Sequence, residues 1–115
     1  MSPESRHFAA YDGEDIVGVG YIVPVASPFD DKPKAWMLRG MAVESERQGQ
    51  GVGAAVVRFV EDEAQREGIE LLWFNARKIA VGFYARLGFE SIGDEFIIPE
   101  IGPHFVMFKY LSKEN

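Results

Sequence analysis

The chain has no cysteine. Disulfides, zinc–thiolate sites and a cysteine nucleophile are excluded together, and with them any acyl-cysteine intermediate. Such a composition fits a reducing compartment. Histidine is scarce too: His7 and His104 stand alone, without the spacing of a ligand set, so no metal is expected. No apolar run approaches the ~18–20 residues a membrane span needs. Residues 1–7 lack the apolar core of a signal peptide. A cytoplasmic location without membrane contact is therefore expected. Basic residues are outnumbered, 12 Lys and Arg against 18 Asp and Glu, for a net charge of −6. A nucleic-acid-coating surface needs the opposite balance, so no nucleic-acid partner is expected.

What is present suits one small globular domain over residues 1–115. Hydrophobic residues make up 47%, enough to bury a core. No repeat or low-complexity tract divides the chain. Strand-like stretches run over 7–11 and 16–23, with Asp12-Gly13 as a hairpin signal between them. Residues 24–34 hold three prolines and adjacent Asp30 and Asp31, and read as a loop. A third strand covers 36–43. Val52, Val56, Phe59, Val60 and Ala64 then recur at helical period, and Gly68 follows as a stop. Residues 69–74 form an apolar run of strand length. Ile79, Ala80, Phe83, Tyr84 and Leu87 outline a second helix, stopped by Gly88. Two short strands near 89–97 and 104–110 close the chain. Strand, helix, strand in the middle implies a parallel pair with a right-handed crossover, and the opening hairpin adds antiparallel strands beside it. The expected class is α/β (α+β), a mixed, mostly antiparallel sheet with flanking helices.

The most informative segment is Gln48-Gly49-Gln50-Gly51-Val52-Gly53, with Ala54 after it. It lies between the third strand and the first long helix. The first turn of a helix carries unpaired N–H groups and a partial positive charge. Glycines let a ligand approach that backbone closely. Together they can cradle a phosphate or pyrophosphate without a lysine. Three other readings compete. A dinucleotide site would use Gly49-x-Gly51-x-x-Ala54 and an acidic residue ending the next strand, where Asn75 stands instead. A nucleoside-triphosphate loop would need Gly-Lys-Ser/Thr, which is absent. A glycine-rich turn serving only packing is the third.

Leu38-Arg39-Gly40-Met41-Ala42-Val43, then Gln48-x-x-Gly51-x-Gly53, then Asn75-Ala76-Arg77, then Phe83-Tyr84-Ala85-Arg86-Leu87-Gly88-Phe89 resembles, in that order and spacing, the GNAT superfamily of CoA-dependent N-acyltransferases. The resemblance spans residues 16–110. It implies acetyl-CoA as acyl donor, no metal, and an amine acceptor on a small molecule or peptide. It implies that the third and fourth strands splay apart around the pantetheine arm. Met41, Ala42 and Val43 would pair their backbone with its amides. Gln48, Gly49, Gln50, Gly51, Val52, Gly53 and Ala54 would hold the pyrophosphate. Asn75 would hydrogen-bond the pantetheine or the second helix, against the alternative of a helix cap. Family members usually begin with a strand and two helices that wall the acceptor site, and residues 1–15 leave no room for them. That leaves an open acceptor pocket, one completed by a second subunit as in a homodimer, or none.

The resemblance places Tyr84 beside the sulfur, where its hydroxyl would stabilise the departing thiolate; packing on the helix's apolar face is its structural alternative. His104 has the intrinsic pKa of a general base, against a structural polar contact. Glu44 and Glu46 could act through water but read better as solvated loop charges. Arg77 and Lys78 could meet a phosphate or an acidic acceptor, or simply solvent. Trp36 and Trp73 read as sheet packing. The rival function is a catalytically impaired CoA-binding module, a sensor or subunit; a weaker third reading is a purely structural partner domain.

Overall fold

The computed structural model describes residues 5–43 and 51–111. Alternation of side chains along the strands decides which face each residue occupies. Strands β1 (Arg6–Asp12) and β2 (Asp15–Val23) form the opening hairpin. Its turn residues are Gly13 and Glu14, one position later than the Asp12-Gly13 signal suggests. The proline-containing loop follows, then β3 (Ala35–Val43), helix α1 (Val52–Arg66) and β4 (Leu71–Arg77). A 3₁₀ turn (Lys78–Ala80) leads into α2 (Val81–Arg86). Strands β5 (Glu90–Ile98) and β6 (Gly102–Tyr110) complete one six-stranded sheet in the order β1-β2-β3-β4-β6-β5. Among the described residues only β3 and β4 pair in parallel; the other strand pairs are antiparallel. The closing strands are nine residues each rather than short, and β6 inserts between β4 and β5.

Both helices cover the same face. Val57, Val60 and Ala64 of α1 and Tyr84 of α2 share one core with Ile22, Trp36, Leu38, Leu72, Phe74, Ala76 and Met107. The odd-numbered neighbours point the other way: Ala35, Leu71 and Trp73 pack with Phe29, Met37, Val106 and Phe108. The two tryptophans are thus sheet packing on opposite faces. The Trp73 indole N–H donates to the Val25 carbonyl at 2.9 Å and pins the loop to its face.

Two residues of the expected apolar stripes lie outside the core. Phe59 is 49% exposed, edge-on to Phe8 at 5.6 Å, because the buried stripe of α1 centres on Val57. Ile79 is 83% exposed, because residues 78–80 form a 3₁₀ turn that rotates it away from α2's packed side. Beneath α2, the Lys109 ammonium donates to Glu61 Oε1 at 2.8 Å and to the Leu87 carbonyl at 3.0 Å, tying β6 to both helices. Lys109→Met keeps the stem but leaves both acceptors unpaired. It is expected to cost about 1–2 kcal/mol in urea unfolding.

Candidate active site

The parallel pairing of β3 and β4 lasts for three residue pairs, Ala35, Trp36 and Met37 against Leu71, Leu72 and Trp73. Beyond Met37 and Trp73 the strands part, and a cleft of about 530 Å³ opens between them. Its walls are Leu38, Arg39, Gly40 and Met41 on β3 and Phe74, Asn75, Ala76 and Arg77 on β4. Ile79, Ala80 and Tyr84 close it from the α2 side, Ile101 and His104 from the β5–β6 side.

A bulge shapes the β3 wall. Arg39 lies opposite Tyr21 and Ala42 opposite Val19, so Gly40 and Met41 together face Gly20. Gly40 takes φ +61°, a left-handed conformation that a side chain resists. The extra residue breaks the ladder and leaves a main-chain group there without its strand partner.

The amino end of α1 supplies a second feature. Its cap is Gly51, at φ 83° and ψ 5°, with no side-chain hydrogen bond and no acidic residue in the first turn. The Ala55 amide closes the first turn onto the Gly51 carbonyl at 3.0 Å. The amides of Val52, Gly53 and Ala54 precede that bond and have no intrahelical acceptor. The helix dipole adds positive potential at this end. A Cβ built on Gly51 would meet no described residue within 4 Å.

Tyr84 is 8% exposed. Its ring lies 4.4 Å from Phe74 and 5.0 Å from Phe83, and burial raises its pKa above the ordinary phenol value. The hydroxyl therefore stays protonated and is a donor. His104 is 4% exposed and stands on β6 across from Arg77, with Phe96 on its other side. Its Nδ1 lies 2.8 Å from the Gly102 carbonyl. A carbonyl only accepts, so Nδ1 carries a hydrogen, and in the neutral form that tautomer presents its lone pair at Nε2.

Of the expected site residues, the cleft brings together Met41, Asn75, Tyr84 and His104. Ala42 and Val43 continue β3 past the bulge, opposite Val19 and Gly18. Gly51, Val52, Gly53 and Ala54 form the cap and first turn of α1 and lie outside the cleft lining. Gln48, Gly49, Gln50, Glu44 and Glu46 fall outside the described residues. The alternative of Asn75 as a helix cap is overturned: Asn75 sits inside β4 opposite Val106, and Arg77 is the residue before the 3₁₀ turn. Lys78 pairs with Glu95 at 3.0 Å, whereas Arg77 lines the cleft. Sequence reading missed Arg39 and Gly40 as wall residues. The available signal was a glycine interrupting a strand, which marks a bulge or a close approach. A second hollow of about 320 Å³ shares Gly40 with the cleft and is lined by His7, Phe8, Tyr11 and Tyr21, His7 and Tyr21 being stacked at 5.0 Å.

A mixed sheet opened between its parallel strands, beside a helix that opens on a glycine cap without a side-chain hydrogen bond, defines the class: an N-acyltransferase fold. Comparison with known proteins agrees. The model of the acetyltransferase (GNAT) family matches residues 1–89, and the chain belongs to that family of acyltransferases. It is 35% identical over 101 residues to the uncharacterized N-acetyltransferase YitI of Bacillus subtilis, covering 88% of this chain and 67% of that protein. It is 29% identical over 100 residues to N-acetyltransferase family 8 member 2 of Rattus norvegicus, covering 84% of this chain but only 44% of the relative. Among solved structures it resembles an aminoglycoside 6'-N-acetyltransferase complexed with coenzyme A, with a TM-score of 0.79 at 19% identity, covering 98% of this chain and 76% of that one. No helix among the described residues is long and apolar enough to cross a membrane.

Proposed function

We propose that this chain transfers an acetyl group from acetyl-CoA directly to a primary amine on a small molecule or peptide, in the cytoplasm. The observation that carries this reading is the opened β3–β4 pair beside the glycine-capped amino end of α1. A pantetheine arm is a chain of amides, and lying in the cleft it can pair with β3 as an added strand does. The amides of Val52, Gly53 and Ala54, which lack an intrahelical acceptor, suit the pyrophosphate with the helix dipole behind them. The coenzyme A in the related aminoglycoside enzyme supports the same donor.

In this reading the neutral amine attacks the thioester carbon, the carbon–sulfur bond breaks, and the amine proton must leave. An aliphatic amine of pKa near ~10.4 costs about 4.6 kcal/mol to neutralise at pH 7. Nε2 of His104, free to accept, takes that proton directly or through water. The unpaired main-chain group at the Gly40–Met41 bulge stabilises the oxyanion. Tyr84 donates a hydrogen bond to the departing thiolate. Full proton transfer from an unperturbed phenol to a thiolate is already uphill by about 2 kcal/mol, and burial of Tyr84 makes it steeper, so donation without transfer is its role.

Steady-state assay of thiol release against a panel of amines tests the reading. Tyr84→Phe is expected to lower kcat at least tenfold while acetyl-CoA affinity by calorimetry stays within about twofold. Unchanged kcat removes Tyr84 from the mechanism. Saturable binding of coenzyme A with no thiol release on any amine makes the chain a binding module instead.

A further inference from the structure

The cleft walls hold an imbalance of charge. The protein is acidic overall, yet the thirteen described residues lining the cleft include Arg39, Arg77 and His104, and none of these thirteen is a carboxylate. Arg39 and Arg77 come from the two opposed walls, β3 and β4, and both are exposed. Neither forms an ion pair with a described residue, a state they share with Arg58 and Arg86 outside the cleft. Two arginine forks on the opposed walls of one cleft are suited to a planar oxyanion held between them.

Strand alternation says which side of the sheet this is. Leu38, Phe74 and Ala76 point into the core beneath the helices, so Arg39, Asn75 and Arg77 point to the opposite face, with Trp73. The register extends the same face in both directions, since Tyr21 is opposite Arg39, and His104 opposite Arg77. The glycine-capped end of α1 belongs to the helix-covered side. A donor whose diphosphate sits there has its phosphates on the far side of the sheet from both guanidinium groups.

We infer that Arg39 and Arg77 receive the acceptor, and that the acceptor is an amine bearing a carboxylate, of the amino acid class, its carboxylate clamped across the cleft mouth and its amine directed toward Nε2 of His104. This rests on the acyltransfer reading and narrows its substrate. The clamp explains why two cations line a site whose nucleophile must itself be uncharged: they attract the carboxylate and disfavour the ammonium form of the amine beside it.

The test compares thiol release for amino acids and their carboxamides at saturating acetyl-CoA. The carboxamide carries the less basic amine, so basicity alone favours it. The inference expects kcat/KM for the acid to exceed that for the amide at least tenfold for one or more side chains, and this ratio to fall to about one in the Arg39→Gln/Arg77→Gln double variant. Arg39→Lys with Arg77→Lys keeps charge without the fork and should retain part of the ratio. Equal use of both acceptors, a preference that survives the double variant, or thiol release only with amines lacking a carboxylate would overturn it. Calorimetry with acetyl-CoA separates the failures. No binding to the unmodified protein defeats the acyltransfer reading itself, whereas an affinity that drops with the double variant would assign the arginines to the donor's phosphates and overturn this inference alone.

Discussion

Gly40→Ala is expected to lower the thermal midpoint by about 6–20 °C and thiol release at least tenfold. Two effects add. Alanine at φ +61° pays about 1–2 kcal/mol for the left-handed backbone. Its Cβ would also lie 2.5 Å from Cε1 and 2.7 Å from Cδ1 of Tyr21. That ring cannot swing freely, because it stacks on His7 at 5.0 Å. Relieving the overlap brings the total to about 2–4 kcal/mol, and for a domain of this size each kcal/mol moves the midpoint by roughly 3–5 °C. Relief by straightening β3 would return the Gly40–Met41 step to the ladder and withdraw the main-chain group from the cleft. Calorimetric melting and the thiol-release assay check the two halves separately. A variant that melts as the parent does would show that the bulge is not held by glycine.

Leu72→Ala is expected to cost about 2–5 kcal/mol, read as a shift of the urea midpoint at unchanged slope. Leu72 is fully buried and pairs with Trp36 in the three-residue stretch where β3 and β4 meet. Truncation leaves a void between the sheet and the helices, in the place where the parallel pairing has least ladder to spare. Since small domains hold only about 5–15 kcal/mol in total, the variant sits near the edge of folding. Leu72→Val keeps most of the volume and should lose less than half as much. Equal losses for the two would point to β-sheet pairing rather than cavity formation as the cause.

Much of this architecture was legible from periodicity. All six strands and both helices were expected close to their observed places, because apolar spacing records which residues face a core. Gly68 and Gly88 stand just past α1 and α2 as their stops. The departures are local. Ile79 and Phe59 have the right residue type and the wrong angle about the helix axis, which hydrophobicity alone does not report. The insertion of β6 beside β4 is set by pairing distant in sequence, and no local pattern encodes it. At the site, Tyr84 and Asn75 were readable from a resemblance of motifs, and the cleft does contain them both. Arg39 was not, since a charged residue in an alternating strand looks like any solvated one. Its significance depends on Arg77, 38 positions away in sequence, standing on the opposite wall. The Gly40 bulge was missed because its evidence is a mismatch of register with β2.

The short contact between β3 and β4 has a mechanical meaning. The sheet is two three-stranded antiparallel halves, the meander β1-β2-β3 and the set β4-β6-β5, stitched by three residue pairs and strapped by α1. Past that seam the facing edges no longer pair with each other. An amide-bearing guest in the wedge adds the missing rungs, so that filling the gap and stiffening the molecule become one event.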